Sequence, residues 1–468
     1  MGGEDNQTKG EGKPAQKRRL FGTDGIRGQA NHHPMSPELV LKLGRAAGIV
    51  FRRGSHRHRI VIGKDTRLSG YMFESSLRAG FLSMGIQCLQ VGSLPTPAVA
   101  FLTRALRADA GVMISASHNP YFDNGIKFFD SNGMKLPDET ELEIERLVLE
   151  EGNLEAHQPD SASLGKAVNI EDARGRYIEF CKNAFSRKLR LDGLRVVLDC
   201  AHGAAYKVAP IVLWELGAEV ITIGCDPNGI NINEGFGSLH PRQMQAKVRE
   251  VRADVGIAFD GDADRLVVCD EQGELLDGDH ILAICAANMQ RHNTLRGGGV
   301  VATVMSNLGL ERFLRRLNLN LVRTQVGDRH VLEHMYKNGF NLGGEQSGHI
   351  IFTDHNTTGD GLISALKVLE LLAAGQKPLS ELTADMQTVP QVLRNVRIQP
   401  GVDPLADPQV QKHIEAAERE LGETGRLLIR KSGTEPKVRV MVEGDSLPQV
   451  EKLVEDLCRS IRKAADVA

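Results

Sequence analysis

Paired cysteines are missing from these 468 residues: the seven present, at positions 88, 181, 200, 225, 269, 285 and 458, are scattered and never spaced C-x-x-C. That pattern excludes a disulfide framework and a structural zinc ribbon, and it fits a reducing compartment. An excess of one charge is missing too. The net charge of -3 and pI near 6.6 leave no electrostatic footprint for nucleic acid or a membrane surface. No run approaches the roughly 18 apolar residues of a membrane span, and no apolar stretch follows Lys17-Arg18-Arg19, as a secretory signal would require. Residues 1–18 are expected to form a disordered, solvated tail, and the protein is expected in the cytoplasm. Neither a Walker lysine loop nor a G-x-G-x-x-G fingerprint occurs, so nucleotide-dependent chemistry is not indicated.

What is present in excess is glycine. The 49 glycines exceed the average share of about 7% and announce many tight turns. The length predicts two to four domains. Ser36-Pro37 reads as a helix start, with a capping hydroxyl and proline at the first helical position. Leu39, Val40, Leu43, Ala46, Ala47 and Val50 follow at helical spacing. Arg59 to Gly63, Gln87 to Val91 and Ala110 to Ile114 read as buried strands. The alternation predicts mixed or parallel sheets covered on both faces, with ligands at the strand ends. The pattern breaks at a polar stretch near 150–167. It restarts at Leu194 to Asp199 and Asp254 to Phe259, then again near Leu276. Near the end, strands at Arg426 to Arg430 and Val438 to Glu443 precede a capping box at Ser446 and a helical repeat from Val450 to Ile461. The expected fold class is α/β, with three similar α/β units and a smaller α+β unit at the end. The expected bounds are 19–167, 168–274, 275–390 and 391–468.

Four loops carry chemistry. Ser115-Ala-Ser-His-Asn-Pro120 follows a buried strand, where the Ser117 hydroxyl is expected to be exposed and available as a phosphoryl carrier. Asp260-Gly-Asp-Ala-Asp-Arg265 places carboxylates at every second position, on one side of an extended segment. Three like charges there repel unless a cation neutralises them, and oxygen-only ligands suit Mg²⁺. An EF-hand also opens D-x-D-x-D, with Glu271 at position 12, but Arg265 stands where that loop requires glycine. Gly343-Gly-Glu-Gln-Ser-Gly-His349 offers Glu345 and Ser347 to sugar hydroxyls. Arg430-Lys-Ser-Gly-Thr-Glu-Pro436 combines small residues, hydroxyls and a guanidinium into a phosphate cradle. Together they supply a phosphorylatable serine, a divalent-metal site, a hydroxyl-reading loop and a phosphate clamp. Phosphoryl transfer, which rests on positioning and electrostatics, needs little else.

The order of these loops, with Arg19-Leu-Phe-Gly-Thr-Asp-Gly-Ile-Arg-Gly28 ahead of them, resembles the α-D-phosphohexomutase family over roughly residues 19 to 463. Gly224-Cys-Asp-Pro-Asn-Gly-Ile-Asn-Ile-Asn233, Met305-Ser-Asn-Leu-Gly-Leu310 and Val326-Gly-Asp-Arg329 look like its bacterial branch that converts glucosamine 6-phosphate to glucosamine 1-phosphate for UDP-sugar and cell-wall synthesis. The resemblance implies a heart-shaped, four-domain isomerase with one loop from each domain around a cleft. It implies a phosphoserine at Ser117, and one Mg²⁺ held by Asp260, Asp262 and Asp264 with an oxygen on Ser117. Glu345 and Ser347 would contact sugar hydroxyls, and Arg430, Ser432, Gly433, Thr434 and Arg439 would hold the non-reacting phosphate. Lys127, Arg27 and His349 match positions near the transferring proton, without a division into acid and base. A sugar 1,6-bisphosphate would act as activator, with the first source of the serine's phosphate left open. The expected partner is a small sugar phosphate, with no nucleic acid or membrane, for a monomer or homodimer. Some departures stand out. Ala263 occupies a place where glycine is also common, a methyl that negative φ would tolerate. His330 stands in place of an expected tyrosine, and Ser115 in place of threonine. A phosphomannomutase or phosphoglucomutase would share the chemistry. A non-catalytic sugar-phosphate sensor would be expected to lose the serine or an aspartate, and a sugar phosphatase would release free phosphate.

Overall fold

The computed structural model describes residues 19–466 except Thr23, 151–153, Gln376, Pro400 and 433–435. The expected tail, together with Gly433 and Thr434, lies outside the described residues. The first sheet contains β1 (Ile26–Gln29), β2 (Arg59–Lys64), β3 (Gln87–Ser93), β4 (Ala110–Ile114), β5 (Asp123–Asp130) and β6 (Ala167–Asn169), in the order β1-β5-β4-β2-β3-β6. Its four strands β4, β2, β3 and β6 are parallel, and β5 and β1 add antiparallel pairs at one edge. Ser36 caps the helix Pro37–Phe51 as its sequence predicts, accepting from the Leu39 amide at 3.3 Å. Val40, Leu43, Ala46, Ala47 and Val50 form the buried stripe of that helix.

The second sheet holds β7 (Arg195–Asp199), β8 (Glu219–Ile223), β9 (Val255–Phe259), β10 (Leu266–Cys269) and β11 (Leu275–Leu276), ordered β11-β10-β9-β7-β8. The third holds β12 (Gly299–Thr303), β13 (Asn320–Thr324), β14 (Leu342–Gly344) and β15 (Ile350–Phe352), ordered β13-β12-β14-β15. Both are mixed, so the α/β expectation stands. The last sheet is wholly antiparallel: β16 (Gln391–Arg397), β17 (Gly425–Lys431) and β18 (Lys437–Gly444), with β18 central. The sequence reading omitted β16, because Gln391–Arg397 is mostly polar and buries only Val396.

Core packing explains how the units hold together. One apolar cluster runs without a break from Val61 and Tyr177 through Phe259 to Phe313 and Leu369, joining the first three sheets. The last unit has its own core around Val438, Val440, Val450 and Ile461. It meets the third unit through polar contacts. Arg426 donates to the Val304 and Ser306 carbonyls at 2.9 Å each, and to buried Glu443 at 2.6 Å. Among the described residues, no helix is long and apolar enough to cross a membrane.

Candidate active site

Each candidate loop sits where a strand of the sheets runs out. β4 delivers Ser115 and Ser117, β9 delivers Asp260 to Arg265, β14 turns into β15 through Glu345 to His349, and β17 turns into β18 beyond Ser432. Ser117 is buried rather than exposed, with 1% of its surface accessible, because the second unit closes over it. Its Oγ donates to Asp260 Oδ2 at 2.7 Å and lies 3.2 Å from His118 Nδ1. Ser117 also holds φ at 54°, a left-handed conformation that costs a non-glycine residue about 1 kcal/mol or more and persists only where the surroundings over-determine it.

Those surroundings are visible. Arg67, completely buried, donates from Nε to Asp65 and from its two terminal nitrogens to the carbonyls of Ser117 (2.9 Å), Asn119 (2.8 Å), Asp123 (3.1 Å) and Pro120. Asn233 Nδ2 adds donors to the Ser117 and Asn119 carbonyls at 2.9 and 3.0 Å. Ser115 Oγ bridges Asp65 Oδ2 and the Ser117 amide. The serine in place of threonine therefore keeps the hydroxyl that shapes the loop.

Asp260, Asp262 and Asp264 present carboxylate oxygens within 4.8 Å of one another, all buried. A turn gathers them, not the expected extended segment. The Ala263 amide donates back to the Asp260 carbonyl at 3.0 Å, and Ala263 has φ of 55°. The expectation of negative φ fails here: the methyl is carried in the left-handed region. Burial, then the Asp264 and Asp262 charges, push the Asp260 carboxyl well up. Burial would raise Asp264 as well, but Lys127, His349 and Arg265 outweigh it and hold it well down. Asp262 Oδ1 and Asp264 Oδ1 are buried without a hydrogen-bond partner. Crowded oxygen ligands with orphaned lone pairs fit a hard divalent cation.

Lys127, on β5, lies 3.1 Å from Asp262, 3.5 Å from Asp264 and 3.0 Å from Asp24. Burial would lower its pKa, yet these three carboxylates raise it strongly. Arg27, on β1, pairs with Asp24. His349 is buried, with Nδ1 at 3.7 Å from Asp264 and Nε2 accepting from the Gly359 amide at 3.1 Å. Burial lowers its pKa, and the Asp264, Asp328 and Glu345 charges reverse that to about 9. The Gly359 amide pulls the other way. Accepting from that amide needs a lone pair on Nε2, so of the two neutral tautomers only the one with its proton on Nδ1 fits it.

A cavity of about 800 Å³ opens beside these groups, lined by Arg27, Asp264, Glu345, His349, Arg430, Ser432 and Arg439 among others. Glu345 Oε1 accepts from the Gly327 amide at 3.1 Å, and exposed Ser347 donates to Glu345 Oε2 at 3.2 Å. Arg430 and Arg439 stand directly opposite each other on β17 and β18. Like charges so placed repel; burial and Arg439 both lower the Arg430 pKa, and Arg439 Nε is buried without a partner. An anion between them would relieve both. His330 also lines this cavity.

The sequence reading missed Asp24, Arg67, Thr96, Asn233 and Asp328. Asp24, Asn233 and Asp328 lie inside the motifs that carry the family resemblance, and Asp65-Thr66-Arg67 follows a strand end as the other loops do. Nothing in the sequence marks Thr96, which donates to Asp262 from the start of a helix.

Models of the four phosphoglucomutase/phosphomannomutase domains, alpha/beta/alpha domains I, II and III and the C-terminal domain, match residues 18–155, 175–273, 277–389 and 393–460 in that order. The chain belongs to the phosphoglucomutase/phosphomannomutase family. Within it, a phosphoglucosamine mutase of Magnetococcus marinus is 68% identical over 451 residues, covering 96% of this chain and 93% of that protein. A phosphoglucosamine mutase of Rhizobium rhizogenes is 57% identical over 452 residues, covering 96% and 100%. A crystal structure of a phosphoglucomutase/phosphomannomutase family protein from Burkholderia thailandensis shares the fold at a TM-score of 0.77 and 24% identity, covering 94% of this chain and 97% of that one.

Proposed function

We propose that this chain is a mutase interconverting glucosamine 6-phosphate and glucosamine 1-phosphate through a phosphoserine at Ser117, in the cytoplasm. The observation that carries the reading is the Ser117 hydroxyl, fixed 2.7 Å from Asp260 in a wall shared with Lys127, Asp262 and Asp264. The paired arginines of the clamp, Arg430 and Arg439, line the neighbouring cavity. The relatives named above support the choice of amino sugar.

In this reading the phosphoryl group of phospho-Ser117 passes to the sugar's 1-hydroxyl. The Oγ–P bond breaks, a sugar O–P bond forms, and the product is the 1,6-bisphosphate. That intermediate turns end for end, and its 6-phosphoryl group passes to Ser117 to restore the phosphoserine. Arg430, Ser432, Gly433, Thr434 and Arg439 hold whichever phosphate is not reacting, so they read phosphate and ignore sugar detail. Glu345 and Ser347 accept from and donate to ring hydroxyls. Lys127, Arg27 and His349 hold or move the proton of the attacking hydroxyl. Asp260, Asp262, Asp264 and Ser117 would hold Mg²⁺, which neutralises charge on the transferred phosphoryl oxygens. A sugar 1,6-bisphosphate is the activator.

The test is ³¹P NMR of the chain with Mg²⁺, a trace of sugar 1,6-bisphosphate and glucosamine 6-phosphate, run beside the glucose and mannose esters. Fastest formation of glucosamine 1-phosphate is expected. Preference for glucose or mannose overturns the substrate, and free phosphate overturns the mutase.

A further inference from the structure

At the end of the first sheet away from the cleft, where the central strands β2 and β4 start, three side chains converge. His58 leads into β2 and Asp109 leads into β4, and these parallel neighbours start side by side, with Ile60 beside Ala110. The Asp109 amide donates to the Arg59 carbonyl at 2.9 Å. β4 then runs about 17 Å from this end to Ile114, three residues before Ser117. His56 reaches in from the segment after the helix Pro37–Phe51. Asp109 Oδ1 meets both rings, His56 Nε2 at 2.7 Å and His58 Nδ1 at 3.3 Å. The ring centroids are 4.3 Å apart and tilted by 56°. Asp109 Oδ2 accepts from the Arg59 amide at 2.8 Å, which fixes the carboxylate's orientation.

We propose that His56, His58 and Asp109 form a second metal site, for a divalent transition ion of the imidazole-preferring class, zinc first. Their ligating atoms all lie within 4.8 Å of one another, and the two contacts on Asp109 Oδ1, at 2.7 and 3.3 Å, come near the separation of about 3.4 Å between tetrahedral ligands held about 2.0–2.2 Å from one ion. Two imidazoles and one carboxylate suit Zn²⁺, Ni²⁺ or Cu²⁺, whereas Mg²⁺ takes oxygen shells. The catalytic triad of aspartates and this site therefore select different ions. His58 is buried and 17% of the Asp109 side chain is accessible, while His56 is 60% accessible, so solvent reaches one side and a water completes the shell there. The Arg59 amide on Asp109 is the outer contact that orients a ligating carboxylate. Exposed Arg57 and Arg59 flank the site; their repulsion weakens the affinity without removing a donor atom. A bound ion would pin the chain after the first helix to the rim of the sheet.

The test uses the full chain stripped of metal, with excess Mg²⁺ present to occupy the aspartate triad. Zn²⁺ is titrated calorimetrically, and Co²⁺ is titrated as a coloured stand-in whose visible bands report nitrogen and oxygen ligands. One equivalent of each is expected to bind, with a rise in melting temperature on adding Zn²⁺. His56→Ala and Asp109→Asn should each weaken binding by more than about tenfold and abolish the thermal shift. His56 is exposed, so His56→Ala should keep the metal-free melting temperature and the turnover of the wild type. No binding by the wild type under excess Mg²⁺ overturns the site. Equal binding by the wild type and His56→Ala also overturns it, since the ion would then sit on other histidines or cysteines.

Discussion

The Thr96 hydroxyl donates to Asp262 Oδ2 at 2.6 Å, and the Thr96 amide donates to the Asp262 carbonyl at 2.9 Å, so one residue of the first unit holds both ends of an aspartate from the second. Thr96→Val removes only the side-chain bond. Apparent Mg²⁺ affinity is expected to fall by about 10–100-fold, the usual cost of losing an outer contact to a metal ligand. Turnover at saturating Mg²⁺ should recover most of the wild-type rate. Activity measured over a Mg²⁺ series checks this, and an unshifted curve counts against it.

Ser117→Ala removes the phosphoryl acceptor and a hydrogen bond to Asp260, but leaves the Arg67 and Asn233 contacts to the main chain. Turnover should vanish, while stability changes by about 1 kcal/mol. Mass spectrometry after incubation with a sugar bisphosphate should find phosphate on the wild type and none on the variant. Normal turnover by the variant would refute the nucleophile.

Gly278 starts the helix Gly278–Arg291 beneath the Glu345 loop. A Cβ there would lie 2.1 Å from the Glu345 carbonyl oxygen and 3.0 Å from that of Gln346. Gly278→Ala must therefore displace the loop. A rise in KM of about tenfold or more is expected, with Ser117 still phosphorylated by the bisphosphate. Unchanged KM would show that the Glu345 loop does not set sugar binding.

Asp279 follows on the same helix. Burial, then the Asp277 charge, raises its carboxyl to about 7, although it accepts from the Asn307 amide at 2.7 Å. A carboxyl raised in the fold binds more protons than its unfolded counterpart. Its contribution to stability is therefore fully present below the ordinary value of 3.8 and is lost as pH rises through about 7. Urea unfolding of the wild type should show this decline relative to Asp279→Asn, whose side chain stays neutral. A constant difference between the two proteins across that range would contradict it.

Much of the site was legible because its chemistry is contiguous. Ser117 and the three aspartates lie directly behind apolar runs, where loops must emerge from strand ends, and Glu345 and Arg430 lie in short motifs of small and polar residues. Residues that act across the chain were not legible. Thr96 reaches Asp262 over 166 positions, and nothing around a Thr-Pro helix start foretells it. Burial of Ser117 was hidden for the same reason: the group that covers it, Asp260, belongs to another sheet. The turn at Ala263 was misjudged because D-x-D-x-D alternation is equally consistent with an extended segment, and only the i to i+3 bond from Ala263 to Asp260 decides it. The last sheet was read from its two apolar strands, while polar β16 passed unnoticed.

The struts from Arg67 and Asn233 to the carbonyls behind Ser117 bear on how a bisphosphate can be used twice. A serine whose main chain is braced on so many sides can rotate about its own Cα–Cβ bond and do little else. It cannot swing from one end of a sugar to the other. In the reading proposed above, the loop is thus a fixed anvil, and the half-turn between the two transfers falls to the small molecule.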